Sequence, residues 1–154
     1  MEPLMSTQEF LTVTGALTIS INGKVVRNIN NLIVTAGKTF ILSRMKENTA
    51  GVMTHMAFGS GTTAAAITQT TLVTEGDRNA LNVSGGVVAG STITYECTWA
   101  ADDPDITAPA VTTITEAGIF NASSGGTMLC RTVFGAISKG EADSMTISWV
   151  VTLT

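Results

Sequence analysis

Ala16-Leu17-Thr18-Ile19-Ser20-Ile21-Asn22-Gly23-Lys24-Val25-Val26-Arg27-Asn28-Ile29 decides the fold. Up to Ile21, apolar residues alternate with Thr and Ser at the period of a half-buried strand. Asn22-Gly23 follows, and a second strand-like run begins at Lys24. Asn-Gly between two such runs is the strongest short hairpin signal, because both central residues of the tight turn must adopt positive φ. The folded part of the chain therefore opens with a β-hairpin, and Phe10-Leu11-Thr12-Val13-Thr14 leads into it.

The same period recurs downstream. In Ser91 to Trp99, Ile93, Tyr95, Cys97 and Trp99 share one face. In Ser144 to Thr154, Met145, Ile147, Trp149, Val151 and Leu153 do the same. Val52 to Phe58, Leu72 to Arg78, Ala80 to Ser84, Val111 to Asn121 and Thr127 to Phe134 read as further extended segments, with turns around Val87-Val88 and at Ser123 to Gly126. Roughly eight strands separated by polar turns predict a mainly β protein, an antiparallel β-sandwich or jelly-roll-like barrel. One short α-helix is predicted over about 35–47, with Thr35 as its N-cap and Ala36, Phe40, Ile41 and Met45 on its apolar side. Residues 1–9 read as an N-terminal arm and 10–154 as a single β-rich domain.

Composition narrows the function. Of the 154 residues, 44% are hydrophobic and 13% charged, about half the usual charged share of roughly 25%. A net charge of −4 and a pI near 4.8 argue against nucleic acid as partner. The mean hydropathy of +0.33 would suit a membrane protein, yet Thr, Ser, Asn or a charge interrupts every run before the ~20 apolar residues a spanning helix needs. The start, Met1 to Thr7, carries Glu2 and no apolar run, so it does not read as a secretory signal. A chain this poor in charge is expected to bury more than its own core, as an assembly subunit does.

No motif supports chemistry. Gly37-Lys38-Thr39 ends like a phosphate-binding loop, but position 32 is Leu where that loop needs Gly. Gly59-Ser60-Gly61 lacks a third glycine and reads as a flexible loop. Asp102-Asp103-Pro104-Asp105 lacks the glycine and distal Glu of a calcium loop and reads as a solvated acidic connection. His55 is the only histidine and reads as an inter-strand hydrogen-bonding group. Cys97 and Cys130 read as reduced core thiols, bondable only if their strands pair in register. No catalytic, cofactor-binding or metal-ligating residue is assigned, and the chain reads as a non-enzyme without cofactors.

Thr115-Glu116-Ala117-Gly118-Ile119-Phe120-Asn121-Ala122-Ser123-Ser124-Gly125-Gly126-Thr127-Met128-Leu129-Cys130-Arg131-Thr132-Val133-Phe134 resembles a stretch of small virion structural proteins of tailed bacteriophages. Ile137 to Trp149, Asn31 to Thr35 and Met56 to Ala65 match in the same order, so the resemblance covers roughly residues 30–153. In the hairpin, Arg131 lies on the face opposite Cys130, where Glu116 is its expected structural partner. The resemblance implies a capsid cement or decoration protein, commonly a trimer, that assembles in the host cytoplasm, binds across major capsid proteins and stabilises the shell. In such a subunit Leu4, Met5, Phe10 and Leu11 would be the arm's contacts. The alternatives are a tail, collar, baseplate or fibre-attachment subunit, or a carbohydrate-binding module for the host surface. The last would want exposed aromatics, whereas both Trp fall on core faces of their strands.

Overall fold

The first hairpin forms as its turn dictates. Asn22 and Gly23 adopt φ of 50° and 77°, and Ile21 pairs with Lys24. The computed structural model describes residues 10–47, 50–103 and 113–154. The arm at 1–9 and the Pro104-Asp105 part of the acidic loop lie outside the described residues.

Among the described residues nine strands and one helix follow in order: β1 (Val13–Ile21), β2 (Lys24–Ile33), α1 (Thr35–Lys46), β3 (His55–Gly59), β4 (Glu75–Ala80), β5 (Val87–Ala89), β6 (Thr92–Trp99), β7 (Thr113–Phe120), β8 (Met128–Ser138) and β9 (Met145–Leu153). All pairings are antiparallel, in one sheet of order β4-β3-β7-β8-β2-β1-β9-β6-β5. The sheet curls into a half-barrel, as a long twisted antiparallel sheet tends to do. The ninth strand beyond the expected eight is β5, where the sequence suggested only turns. Ala80 to Ser84, expected to be extended, leaves the sheet after Ala80.

The curl brings β4 back toward β6. The Trp99 indole Nε1 donates to Asp77 Oδ2 at 2.7 Å, and the Phe58 and Trp99 rings meet edge to face at 5.2 Å. The enclosed core is built from the faces read off the alternation: Leu17, Ile19, Tyr95, Cys97, Trp99, Met145, Ile147 and Trp149 are buried. Cys97 and Cys130 are free, and their strands are not neighbours in the sheet.

Helix α1 departs from its expected detail. Val34, not Thr35, is the N-cap, and no side chain caps the helix. The Thr35 N–H instead donates to the Ile67 carbonyl at 2.8 Å, so a tertiary contact meets a donor that capping would have met. Met45, expected on the apolar side, is 80% exposed. Apolar packing ends at Phe40 and Ile41, and Gly37 in the turn before them is buried against strand β8. A Cβ at Gly37 would stand 1.9 Å from the Leu129 carbonyl oxygen. Only glycine lets the two backbones approach this closely.

Candidate interaction surface

Three features stand out once the sheet is assembled: a buried polar latch, a charge-poor outer face, and an apolar groove at the mouth of the half-barrel.

The latch lies on the outer side of β7 and β8. Gly118 pairs with Arg131 and Glu116 with Val133, so Glu116 and Arg131 are diagonal neighbours on one face, within reach of long side chains. They form the ion pair expected from the sequence: Arg131 Nη2 lies 2.7 Å from Glu116 Oε2, with both side chains fully buried. Glu116 also accepts from the backbone N–H groups of Gly61 (3.0 Å), Val73 (3.0 Å) and Thr74 (2.7 Å). Arg131 donates to Gln69 Oε1 (2.8 Å) and to the Thr63 carbonyl (3.0 Å). Burial pushes the Glu116 carboxyl up, but the N–H donors of Thr74 and Val73 and the Arg131 guanidinium outweigh it, and its pKa falls below the ordinary value.

The network fastens segment 60–74 over a sheet face that would otherwise meet water. Beneath that cover Val34, Ala57, Leu72, Phe120 and Met128 form a second small core. Gly59-Ser60-Gly61, expected to be a flexible loop, is therefore close-packed: a Cβ at Gly61 would lie 2.4 Å from Glu116 Oε1. The arrangement is structural. Both carboxylate oxygens of Glu116 and all three guanidinium nitrogens of Arg131 already have protein partners.

His55 bonds its neighbour, Thr54 Oγ1 to Nδ1 at 2.7 Å, rather than a group on an adjacent strand. Burial, then the Arg78 charge, lowers its pKa. Asp103 accepts from Asn79 Nδ2 at 2.6 Å. Among the described residues no three His, Cys, Asp or Glu side chains gather as a metal site would require, and no helix is long and apolar enough to cross a membrane.

The outer face of β2, β1, β9 and β6 follows from the register. Four rows cross it: Val25-Ser20-Thr146-Thr98, Asn28-Thr18-Ser148-Glu96, Asn30-Ala16-Val150-Thr94, and Thr14-Thr152-Thr92. Glu96 is the one charged side chain in these rows. The remainder are hydroxyls, amides and small apolar groups, and an open depression of about 490 Å³ indents the face between Thr14, Ala16, Asn30, Val150 and Thr152, with Lys38 at its margin.

The groove opens between α1 and the ends of β5, β6 and β9. It holds about 260 Å³, its walls include Phe40, Ile41, Val88, Leu129, Val151 and Leu153, and among the described residues no charged one lines it. The sequence concealed it, since its walls come from five separate elements, α1, β5, β6, β8 and β9. The signal available was Val87-Val88, two apolar residues between glycine turns; they are 54% and 71% exposed. Of the expected arm contacts, Leu4 and Met5 lie outside the described residues, while Phe10 and Leu11 are 75% and 74% exposed. Trp99 and Trp149 are wholly buried, so neither offers a sugar-stacking platform. Compared with known protein families, with curated proteins and with solved structures, the chain matches none.

Proposed function

We propose that this chain is a structural subunit of a tailed-bacteriophage virion, a capsid cement protein that docks across major capsid proteins and stabilises the shell without catalysing a reaction. The observation that carries the reading is the four-row outer face, taken with the resemblance over residues 30–153. Docking is opposed by desolvation of charges and by freezing of long side chains. A face of Thr, Ser, Asn and Ala beside a single glutamate keeps both costs small, so broad contact with several neighbours is favourable without any deep anchor. Many modest contacts per shell then act together, as multivalent attachment does. On this reading the protein is used in the virion and put together in the host cytoplasm.

The test is binding of the purified chain to shells that lack it. Ala16→Arg places a charge in the middle of the face at an exposed position, which leaves the core untouched. The substitution should weaken shell binding about tenfold or more, with the circular dichroism spectrum and Tm unchanged. Undiminished binding would show that this face does not dock.

A further inference from the structure

The groove at the mouth of the half-barrel fits a segment of this same chain. Thr12 exchanges backbone hydrogen bonds with Thr154, at 2.6 and 2.9 Å, and Val13 pairs with Leu153, a residue of the groove wall. The N-terminal segment thus leaves the sheet beside the groove. Phe10 and Leu11 do not turn into the groove of their own molecule. Leu11 precedes Val13 by the two-residue repeat and would be the first side chain buried by such a turn, yet it is 74% exposed, and neither it nor Phe10 lines the cavity.

The groove's outer wall is β5, the terminal strand of the sheet, paired among the described residues on one side only, with β6. An exposed apolar edge strand is a template for another strand. The cavity of about 260 Å³ falls just below the range of roughly 300–1,000 Å³ typical of small-molecule sites, and it lacks charged groups to orient a polar ligand. It suits apolar side chains carried at every second position of an extended peptide.

We propose that the N-terminal segment, residues 1–11, of a second copy of this chain adds along the free edge of β5 and covers Val88 and the groove with apolar side chains drawn from Leu4, Met5, Phe10 and Leu11. Eleven extended residues span about 35 Å, against a radius of gyration of about 15 Å for a domain of this size, so the segment reaches an adjoining molecule. The contact is head-to-tail, a segment of one copy on the edge of the next, and its repetition gives a ring or an open chain according to the rotation between copies. The inference goes beyond the capsid reading and is tested without any shell, so either can fail alone.

The experiment uses the full chain carrying Met5→Cys and Val88→Cys, prepared in isotopically light and heavy forms, mixed one to one and oxidised gently. The native thiols Cys97 and Cys130 are buried and do not compete. The expected product is a peptide linked between positions 5 and 88, half of it joining a light chain to a heavy one. Separately, Val88→Asp, at a site 71% exposed, should weaken self-association in sedimentation about tenfold with Tm unchanged. A linkage found only within chains of one label, no linkage between these positions, or association unaltered by Val88→Asp would each overturn the proposal.

Discussion

Arg131 donates from Nε to Glu116 Oε2 at 2.9 Å, its Nη2 lies 2.7 Å from the same oxygen, and neither side chain reaches solvent. The other carboxylate oxygen takes the N–H groups of Gly61 and Thr74. One buried charge pair therefore joins a β-hairpin to a segment more than forty residues earlier in the chain, and much of the outer packing of β7 and β8 depends on it. A pair of this kind adds little over an apolar replacement, but losing one partner strands a charge in the interior.

Arg131→Met should accordingly destabilise the fold by about 3–5 kcal/mol. The loss should be concentrated in segment 60–74. Amide exchange at Gly61, Val73 and Thr74, measured on the folded variant, should speed up far more than exchange in β1 and β9. Uniform acceleration across the sheet would mean that the latch is not local.

Glu116 also sets an acid limit. Its folded pKa lies below the unfolded value, so its contribution is complete above the ordinary glutamate pKa of about 4.3 and is lost as pH falls through the lower folded value. Denaturant titrations between about pH 6 and pH 2 should show stability falling through this window, and the fall should be shallower in Glu116→Gln. An equal slope in the two proteins would remove Glu116 from the explanation.

Gly37→Ala should cost about 1–3 kcal/mol, the range for overpacking, because the added carbon would stand 1.9 Å from the Leu129 carbonyl oxygen. Gly135→Ala is the control. Its nearest foreign atoms, on Arg27, begin at 3.5 Å, and the change should be neutral or slightly stabilising through the unfolded state. Thermal unfolding of both variants checks the contrast.

Both thiols should be silent in the native protein. Burial pushes Cys97 up to about 12, helped by the Asp77 and Asp103 charges, and raises Cys130 as well. The thiolate is the reactive form. A disulfide-exchange reagent at pH 8 should therefore titrate no rapid thiol before denaturant is added and two afterwards.

The sequence disclosed whatever depends on near neighbours. Asn22-Gly23 fixed a turn by its backbone requirement alone, and the alternation from Met145 to Val151 named a core face residue by residue. Even the Glu116–Arg131 pair was legible, since both residues lie in one hairpin. Hidden were the features made by segments far apart. Strand β7 is buried on both faces because segment 60–74 folds over it, and the residues of β7 do not reveal that cover. Gly37 looked like a fragment of a phosphate loop, and its role became visible only against the Leu129 backbone. Val87-Val88 looked like part of a turn, and only the register with Ile93 and Thr94 shows an edge strand bordering a groove.

As the proposed shell-binding subunit, this chain would dock through broad, charge-poor surface. Its copy number in intact particles, measured by quantitative mass spectrometry against the major capsid protein, tests this most directly. The account predicts copies in the hundreds, in fixed proportion to the shell. About six or twelve copies, the count that ring symmetry at a neck or tail would give, or absence from the particle would contradict it.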